Sequence, residues 1–147
     1  MAEKEELVSE EKVSVDISGF FTKQNSEKGM WTEPNINGPI GVKFLVIGAE
    51  SNEAARYLAD YDKDMERINQ IKDPAQRNEE MRVAMATVTA KLVKNIACGE
   101  GVEEIKINGK PLTYSHEIVY AIMYNSIPIA DKIIRFSRRD SDFMAKK

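Results

Sequence analysis

The fold is decided by residues 73–99, DPAQRNEEMRVAMATVTAKLVKNIACG. Asp73 and Gln76 have the spacing of a helix cap, and Pro74 suits the first turn because an amide donor there would have no partner within the helix. Apolar residues then recur every three or four positions, on one helical stripe: Met81, Met85, Val88, Leu92 and Ile96. Because Gly99 favours a left-handed helix end, the stretch predicts one long helix whose stripe forms the floor of the core.

Composition narrows the class of protein to one small cytoplasmic domain. The chain has 147 residues, 42% of them hydrophobic, which is the size and content of a single folded core. Its 21 basic and 24 acidic residues give a net charge of −3, which argues against a nucleic-acid partner. One cysteine allows no internal disulfide, so a reducing compartment is expected. Neither a membrane-spanning run nor a signal peptide is recognisable, and no membrane partner is expected.

The segments that precede the first apolar run predict little regular structure. The first residues are rich in glutamate, which favours a mobile lead-in. Val13, Val15 and Ile17 alternate with polar residues and predict a short strand, whereas the glycines and prolines that follow predict a loop. We therefore expect three segments: a flexible acidic N-terminus (1–12), a single globular domain (13–138, with a long loop at 18–41) and a polar C-terminal tail (139–147).

An almost continuous apolar run over residues 42–49 is typical of a buried strand. Ser51 is placed to cap a following helix over 52–71, and Lys72 alone separates that helix from the cap at Asp73. So short a connection predicts an antiparallel helical hairpin whose apolar stripes face each other.

The pattern changes again after the long helix. Residues 104–107 alternate like a strand, and Asn108-Gly109 is a strong tight-turn pair. Thr113 or Ser115 is placed to cap a helix through Asn125, and a last helix is expected over 128–138. The predicted fold is thus α+β and helix-dominated: an antiparallel helical hairpin plus two C-terminal helices, with a small two- or three-stranded sheet.

Residue patterns for catalysis or metal binding are weak throughout the sequence. Asp60, Asp62 and Asp64 open like a calcium loop, but the glycine and glutamate that such a loop needs further on are absent. His116 is the sole histidine, and Cys98 at a helix end is more typical of a small packed thiol than of a nucleophile. We therefore expect no catalytic residues, no metal and no cofactor, and hence no enzyme.

Apolar side chains with a second interpretation are candidates for partner binding. Met81 and Met85 either fill the core or line a groove for a partner helix, because methionine suits both. Trp31, in the predicted loop with Phe20, Phe21 and Met30, either packs back on the core or contacts a partner. The residues alone leave both alternatives open.

Three stretches together resemble the tail assembly chaperones of long-tailed bacteriophages. They are KFLVIGAES at 43–51 before a charged helix, INGKPLTYS at 107–115 after a long helix, and PIADKIIRF at 128–136 with DSDF at 140–143. Members of that family are similar in their strand, two helices, turn with Asn/Asp-Gly-x-Pro-Leu, and closing Pro-Ile … Phe signature. The resemblance begins at Val42.

The resemblance implies a protein that binds the tape measure protein and keeps it soluble until the tail tube assembles around it. It also implies action in the host cell cytoplasm and absence from the mature virion. The tail tube protein is a second candidate partner, and association of several copies of the chain is left open. The runner-up is a structural minor tail or head-tail completion protein; an enzyme or a cellular adaptor is a weaker alternative.

The end of the last helix supplies the remaining candidate contacts. Phe136, Arg138, Arg139 and Phe143 combine aromatic and arginine side chains, which are frequent anchors of protein interfaces. The alternative is that Phe136 belongs to the core and that the arginines merely suit the negative end of a helix.

Overall fold

The computed structural model describes residues 13–144, so the predicted flexible segment 1–12 and the last three residues of the predicted tail lie outside it. Five α-helices and five short strands are found in the described residues. They follow in the order α1 (Thr22–Lys28), β1 (Met30–Thr32), β2 (Val42–Val46), α2 (Asn52–Ile68), α3 (Pro74–Leu92), β3 (Val93–Cys98), β4 (Lys106–Ile107), β5 (Lys110–Pro111), α4 (His116–Asn125) and α5 (Ile127–Arg138). The helix-dominated α+β prediction is confirmed.

Helix α3 is the central element, and it packs against α2, α4 and α5. It starts where predicted, because the Asp73 carboxylate accepts a hydrogen bond from the amide of Gln76 at 3.0 Å and Pro74 occupies the first turn. Its second half is buried on several sides, and the small side chains there let neighbouring helices approach closely. The buried residues of α3 are Ala84, Met85, Ala86, Val88, Thr89, Ala90 and Leu92.

The predicted long helix is wrong after Leu92, where the chain passes directly into strand β3. Val93 is extended, with φ −87° and ψ 123°, and Ile96 lies opposite Phe44 of β2 rather than on the helical stripe. Gly99 is no helix end, since its amide donates to the carbonyl of Gly41 at 2.8 Å. Pairing with β2 therefore overrides the helical periodicity of the sequence from Val93 to Cys98.

The three-stranded antiparallel sheet has the order β1-β2-β3. On β2, Phe44 and Val46 are buried while Leu45 is half-buried, so the strand presents one face to the core. Trp31 of β1 lies opposite Leu45, on the other face. The predicted strand over 42–49 ends early, because the amides of Ile47 and Ala49 donate instead to the carbonyls of Leu92 and Ser137.

The predicted loop over 18–41 contains regular structure, and the predicted strand at 13–17 is absent. A 3₁₀ turn (Ile17–Phe20), α1 and β1 occupy the first half of the loop. Helix α1 ends at Gly29, whose φ of +85° suits glycine, and is tied to the far end of the chain by the Asn25 side-chain amide, which donates to the carbonyl of Phe143 at 2.6 Å. Tertiary contacts of this kind are invisible to local composition.

The two C-terminal helices begin close to their predicted starts, and each begins at a serine cap. The hydroxyl of Ser115 accepts from the amide of Ile118 at 3.0 Å, and that of Ser126 accepts from Ile129 at 3.4 Å. A 3₁₀ turn (Asp140–Phe143) follows α5 and places Phe143 in the core with 1% of its surface exposed. The predicted polar tail (139–147) therefore contains one aromatic residue that packs into the folded body, because burial removes its apolar ring from water.

Candidate partner-binding surfaces

The C-terminal aromatic residues form an internal contact rather than an exposed anchor. The ring centroids of Phe136 and Phe143 are 5.2 Å apart and the ring planes are tilted by 56°, which is within the distance range of favourable aromatic pairs. Behind them, Gly48 lies so close that an added Cβ would be 2.8 Å from the Phe143 ring and 2.3 Å from the Ser26 hydroxyl. The turn thus closes over a spot where only glycine fits.

A buried serine hydroxyl at the end of α5 forms a hydrogen bond to the segment that follows β2. Ser137 donates to the carbonyl of Ile47 at 2.8 Å, and the backbone carbonyl of Ser137 accepts from Ala49 at 2.7 Å. Because Ser137 is 1% exposed, both contacts are made away from water, where a hydrogen bond is costly to lose. The end of α5 is therefore part of the folded body.

The two arginines of the predicted cluster are exposed and each has an acidic neighbour. Arg138 donates to both carboxylate oxygens of Asp62 on α2, at 2.6 and 3.4 Å. The Nε atom of Arg139 lies 3.4 Å from Oδ2 of Asp142. The arginines are available at the surface, while the two phenylalanines with which they were grouped are packed against each other.

We expect Arg138→Glu to lower the free energy of unfolding by about 1 kcal/mol and Arg139→Glu by less than about 0.5 kcal/mol, because exposed ion pairs contribute little. Urea unfolding at low and at high salt measures this, and the Arg138 effect should shrink in 1 M salt. The charge-swapped double variant Asp62→Arg/Arg138→Glu is the matched control and should recover the loss. A loss above about 2 kcal/mol that ignores salt would contradict the surface assignment.

The two methionines of α3 differ in their surroundings. Met85 is buried with 5% exposure and belongs to the core cluster, so it offers no surface to a partner. Met81 is half-buried and lines a shallow depression of about 310 Å³ beside Ile68 and Pro74, at the turn between α2 and α3. Met85 is therefore a core residue, whereas Met81 packs against the core with part of its side chain and leaves the rest at the surface.

The seam between α2 and α3 is a second depression, of about 340 Å³. Its floor is the buried pair Ala84 and Val88, and the Lys91 ammonium lies 5.3 Å from the ring centroid of Tyr57. The pKa of Glu53 is lowered, mainly by a hydrogen bond from Lys94 and to a smaller extent by one from Tyr57. The Lys94 ammonium lies 2.5 Å from the Glu53 carboxylate. Local partners thus satisfy the polar groups at this end of the seam.

The most exposed of the large apolar side chains in the described residues lie before and within β1. They belong to the N-terminal apolar segment, defined as residues 13–21, and to Trp31. The exposed fractions run from 43% to 90% in this set: Val13, Val15, Ile17, Phe20, Phe21 and Trp31. Phe20, Phe21 and Trp31 keep 43% to 55% of their surface exposed, so the folded body covers only part of each side chain and the rest is available to a partner.

The alternation of apolar and polar residues at 13–17 predicts a strand, but in the structure it belongs to the exposed N-terminal apolar segment. Val13, Val15 and Ile17 alternate as an amphipathic strand would, and the alternation predicted a strand of the sheet. In the structure these residues are unpaired and more than 60% exposed. Apolar side chains that are exposed together in this way form a candidate interaction surface.

Metal ligands do not cluster in residues 13–144, where no group of three or more histidine, cysteine, aspartate or glutamate side chains is placed to hold an ion. His116 is exposed at the first turn of α4, and Asp60, Asp62 and Asp64 lie along helix α2. None of the helices in the same range is long and apolar enough to cross a bilayer.

Comparison of the chain with protein-family models, curated proteins and solved structures finds no match. The functional interpretation therefore depends on the resemblance in the three sequence stretches and on the surfaces described above.

Proposed function

We propose that this protein is a tail assembly chaperone of a long-tailed bacteriophage, which binds the tape measure protein and keeps it soluble during tail assembly. The observation that carries the proposal from the structure is the exposure of the N-terminal apolar segment and Trp31. Single exposed apolar residues are ordinary, but six large ones in two neighbouring stretches of chain are typical of an interaction surface. The sequence resemblance supplies the identity of the client.

The mechanism in this proposal is coverage of apolar surface, and the chain carries out no chemistry of its own. Exposed aromatic and β-branched side chains contact apolar helices of the client and remove both surfaces from water. Each covered square ångström contributes about 25 cal/mol, so a few side chains give a weak and reversible contact. Several copies along one elongated client raise the total affinity through avidity. The protein acts in the host cytoplasm and is left out of the finished particle.

Co-expression with the tape measure protein encoded by the same phage tests the proposal. We expect the soluble fraction of the tape measure protein to rise and the two proteins to co-purify. Mass spectrometry of purified virions separates the runner-up, because a structural subunit would be abundant there and a chaperone would be scarce. No gain in solubility over several tape measure fragments, or stoichiometric amounts in virions, would contradict the proposal.

We expect the double variant Phe20→Ser/Phe21→Ser to reduce co-purification with the client at least about tenfold, because it removes two aromatic anchors from the exposed segment. Each substitution should lower the free energy of unfolding by about 1–2 kcal/mol, less than for a fully buried ring, since both rings are already about half in water. Val83→Ser, at another exposed apolar residue, is the matched control and should leave binding unchanged. Equal losses in both variants would contradict the assignment of this surface.

A further inference from the structure

A cleft of about 270 Å³ separates the outer edge of β3 from the ends of the β4–β5 hairpin. Its lining is mostly apolar, and both charged residues in it are glutamates. The lining residues are Ile96, Ala97, Cys98, Glu103, Glu104, Ile105, Pro111, Leu112 and Tyr114. The cleft is distinct from the N-terminal apolar segment, which lies before β1 at the other end of the sheet order.

Strand β3 has an open edge along this cleft. The amide of Gly99 donates to the carbonyl of Gly41 on the side of β2. In an antiparallel pair, the backbone N–H and C=O groups of every second residue point to the partner strand. Those of Ala97 and Asn95 therefore point to β2. The backbone groups of Ile96 and Cys98 consequently point away from β2, into the cleft. An edge of this kind is a template for another strand.

Where the backbone groups on that edge of β3 pair within the described chain, they pair with side chains and not with another strand. The amide of Ile96 donates to the side chain of the preceding Asn95 at 2.8 Å, and the Tyr114 hydroxyl donates to the carbonyl of Val93 at 3.1 Å. No donor or acceptor among residues 13–144 pairs with the outward amide and carbonyl of Cys98. The β4–β5 hairpin lies beyond the cleft and pairs only with itself within the sheets of the described chain.

We propose that this cleft binds an extended polypeptide segment of a partner, which adds a fourth strand to the edge of β3. Backbone hydrogen bonds to Ile96 and Cys98 would supply affinity, and apolar side chains at alternate positions would enter the space beside Leu112 and Tyr114. The proposal goes beyond the proposed function, because it specifies an extended segment at a second surface rather than apolar helices at the first.

The negative charge of the two glutamates indicates which kind of segment the cleft would bind. Glu103 has no ion-pair partner among the described residues, and Glu104 has a loose one in Lys106 at 3.7 Å. The segment that fits is therefore apolar at alternate positions and carries lysine or arginine between them. The chain's own alternating stretch, residues 12–18 (KVSVDIS), is a poor match, because it contributes Asp16 to an acidic rim.

Cys98 provides a direct test, because it is the sole thiol of the chain and lines the cleft. The probe is a synthetic peptide that alternates valine and lysine, and the readout is the rate of Cys98 alkylation in the full chain. At a peptide concentration ten times the Kd, we expect the rate to fall about tenfold. Amide hydrogen exchange at Ile96 and Cys98 should slow at the same concentrations, since a paired edge is protected.

Three control peptides decide between explanations. A valine–glutamate peptide and an N-methylated valine–lysine peptide should give no protection, the first for charge and the second because it lacks amide donors. The proposal is overturned by an unchanged alkylation rate at millimolar probe, or by equal protection from either control. Protection by the KVSVDIS peptide alone would overturn it in favour of a second copy of this chain as the occupant.

A charge variant tests the rim separately from the fold. Glu103→Lys should raise the Kd of the valine–lysine peptide by about threefold, as expected for loss of an exposed attraction. Glu66→Lys, on the exposed side of α2, is the matched control and should leave the Kd unchanged. Equal shifts in the two variants would show a general effect of net charge and would overturn the role of the rim. Since no tape measure protein enters these experiments, their outcome is independent of the proposed function.

Discussion

Replacing Phe143 with alanine is expected to lower the free energy of unfolding by about 3–5 kcal/mol, as for other fully buried aromatic residues. The ring is 1% exposed, contacts Phe136 at 5.2 Å and covers Gly48, so its removal leaves a cavity between α1, α5 and the chain end. Urea denaturation followed by circular dichroism measures the change as a shift of the midpoint at constant slope.

Met144 provides the matched control for that experiment. It is the next residue along the chain and is 37% exposed, so Met144→Ala should change stability by less than about 0.5 kcal/mol. The comparison also tests the earlier assignment of Phe143 as a partner anchor. A Phe143→Ala variant with native stability and lost client binding would show that the ring serves the interface and not the core.

Leu92→Ala is expected to cost about 2–5 kcal/mol, the range for a fully buried leucine. Leu92 is 0% exposed, and its carbonyl accepts from the amide of Ile47 just after β2, so it lies where the helical layer meets the sheet. Thermal and urea unfolding should both report the loss, and the midpoint should fall at constant slope.

An exposed residue on the same helix is the control for Leu92. Thr87→Ala removes an exposed methyl group and a hydroxyl that donates to the carbonyl of Val83 one turn earlier. Alanine has the higher helix propensity, so the change should stay within about 0.5 kcal/mol. A loss as large as that of Leu92→Ala would contradict the central role of the helix–sheet junction. A negligible effect of Leu92→Ala would do the same.

Much of the architecture was predictable because local chemistry and tertiary structure agree. The predicted caps at Ser51, Asp73 and Ser115 begin helices in the structure, each through a side-chain oxygen that accepts a hydrogen bond from a backbone amide. The turn at Asn108-Gly109 adopts positive φ at both residues, as the pair favours. At these positions short-range hydrogen bonds are enough to determine the backbone.

The error in the long helix has a specific cause. Ile96 follows Leu92 by four residues, so it continues the helical stripe, yet Val93 and Ile96 also suit a strand that pairs with β2. Periodicity alone does not separate the two for a short apolar run. The register with Phe44 decides the outcome, and that contact joins residues about fifty positions apart, beyond the reach of a local pattern.

The candidate surfaces were harder to predict than the fold. Arg138 is exposed, but its carboxylate partner Asp62 is on another helix, and no spacing in the sequence indicates that contact. Phe143 was assigned to an exposed end because its neighbours are polar, whereas a single 3₁₀ turn is enough to fold the ring inward. The cleft beside β3 depends on the strand itself, so it was invisible while the stretch was interpreted as helix.

The direct passage from α3 to β3 has a mechanical consequence. Leu92 and Val93 are consecutive, so one peptide bond joins the end of the central helix to the edge strand with no intervening loop to absorb strain. Neither element can slide along its axis without carrying the other. Any force that a bound segment exerts on the sheet edge is thereby delivered straight into the middle of the helical body.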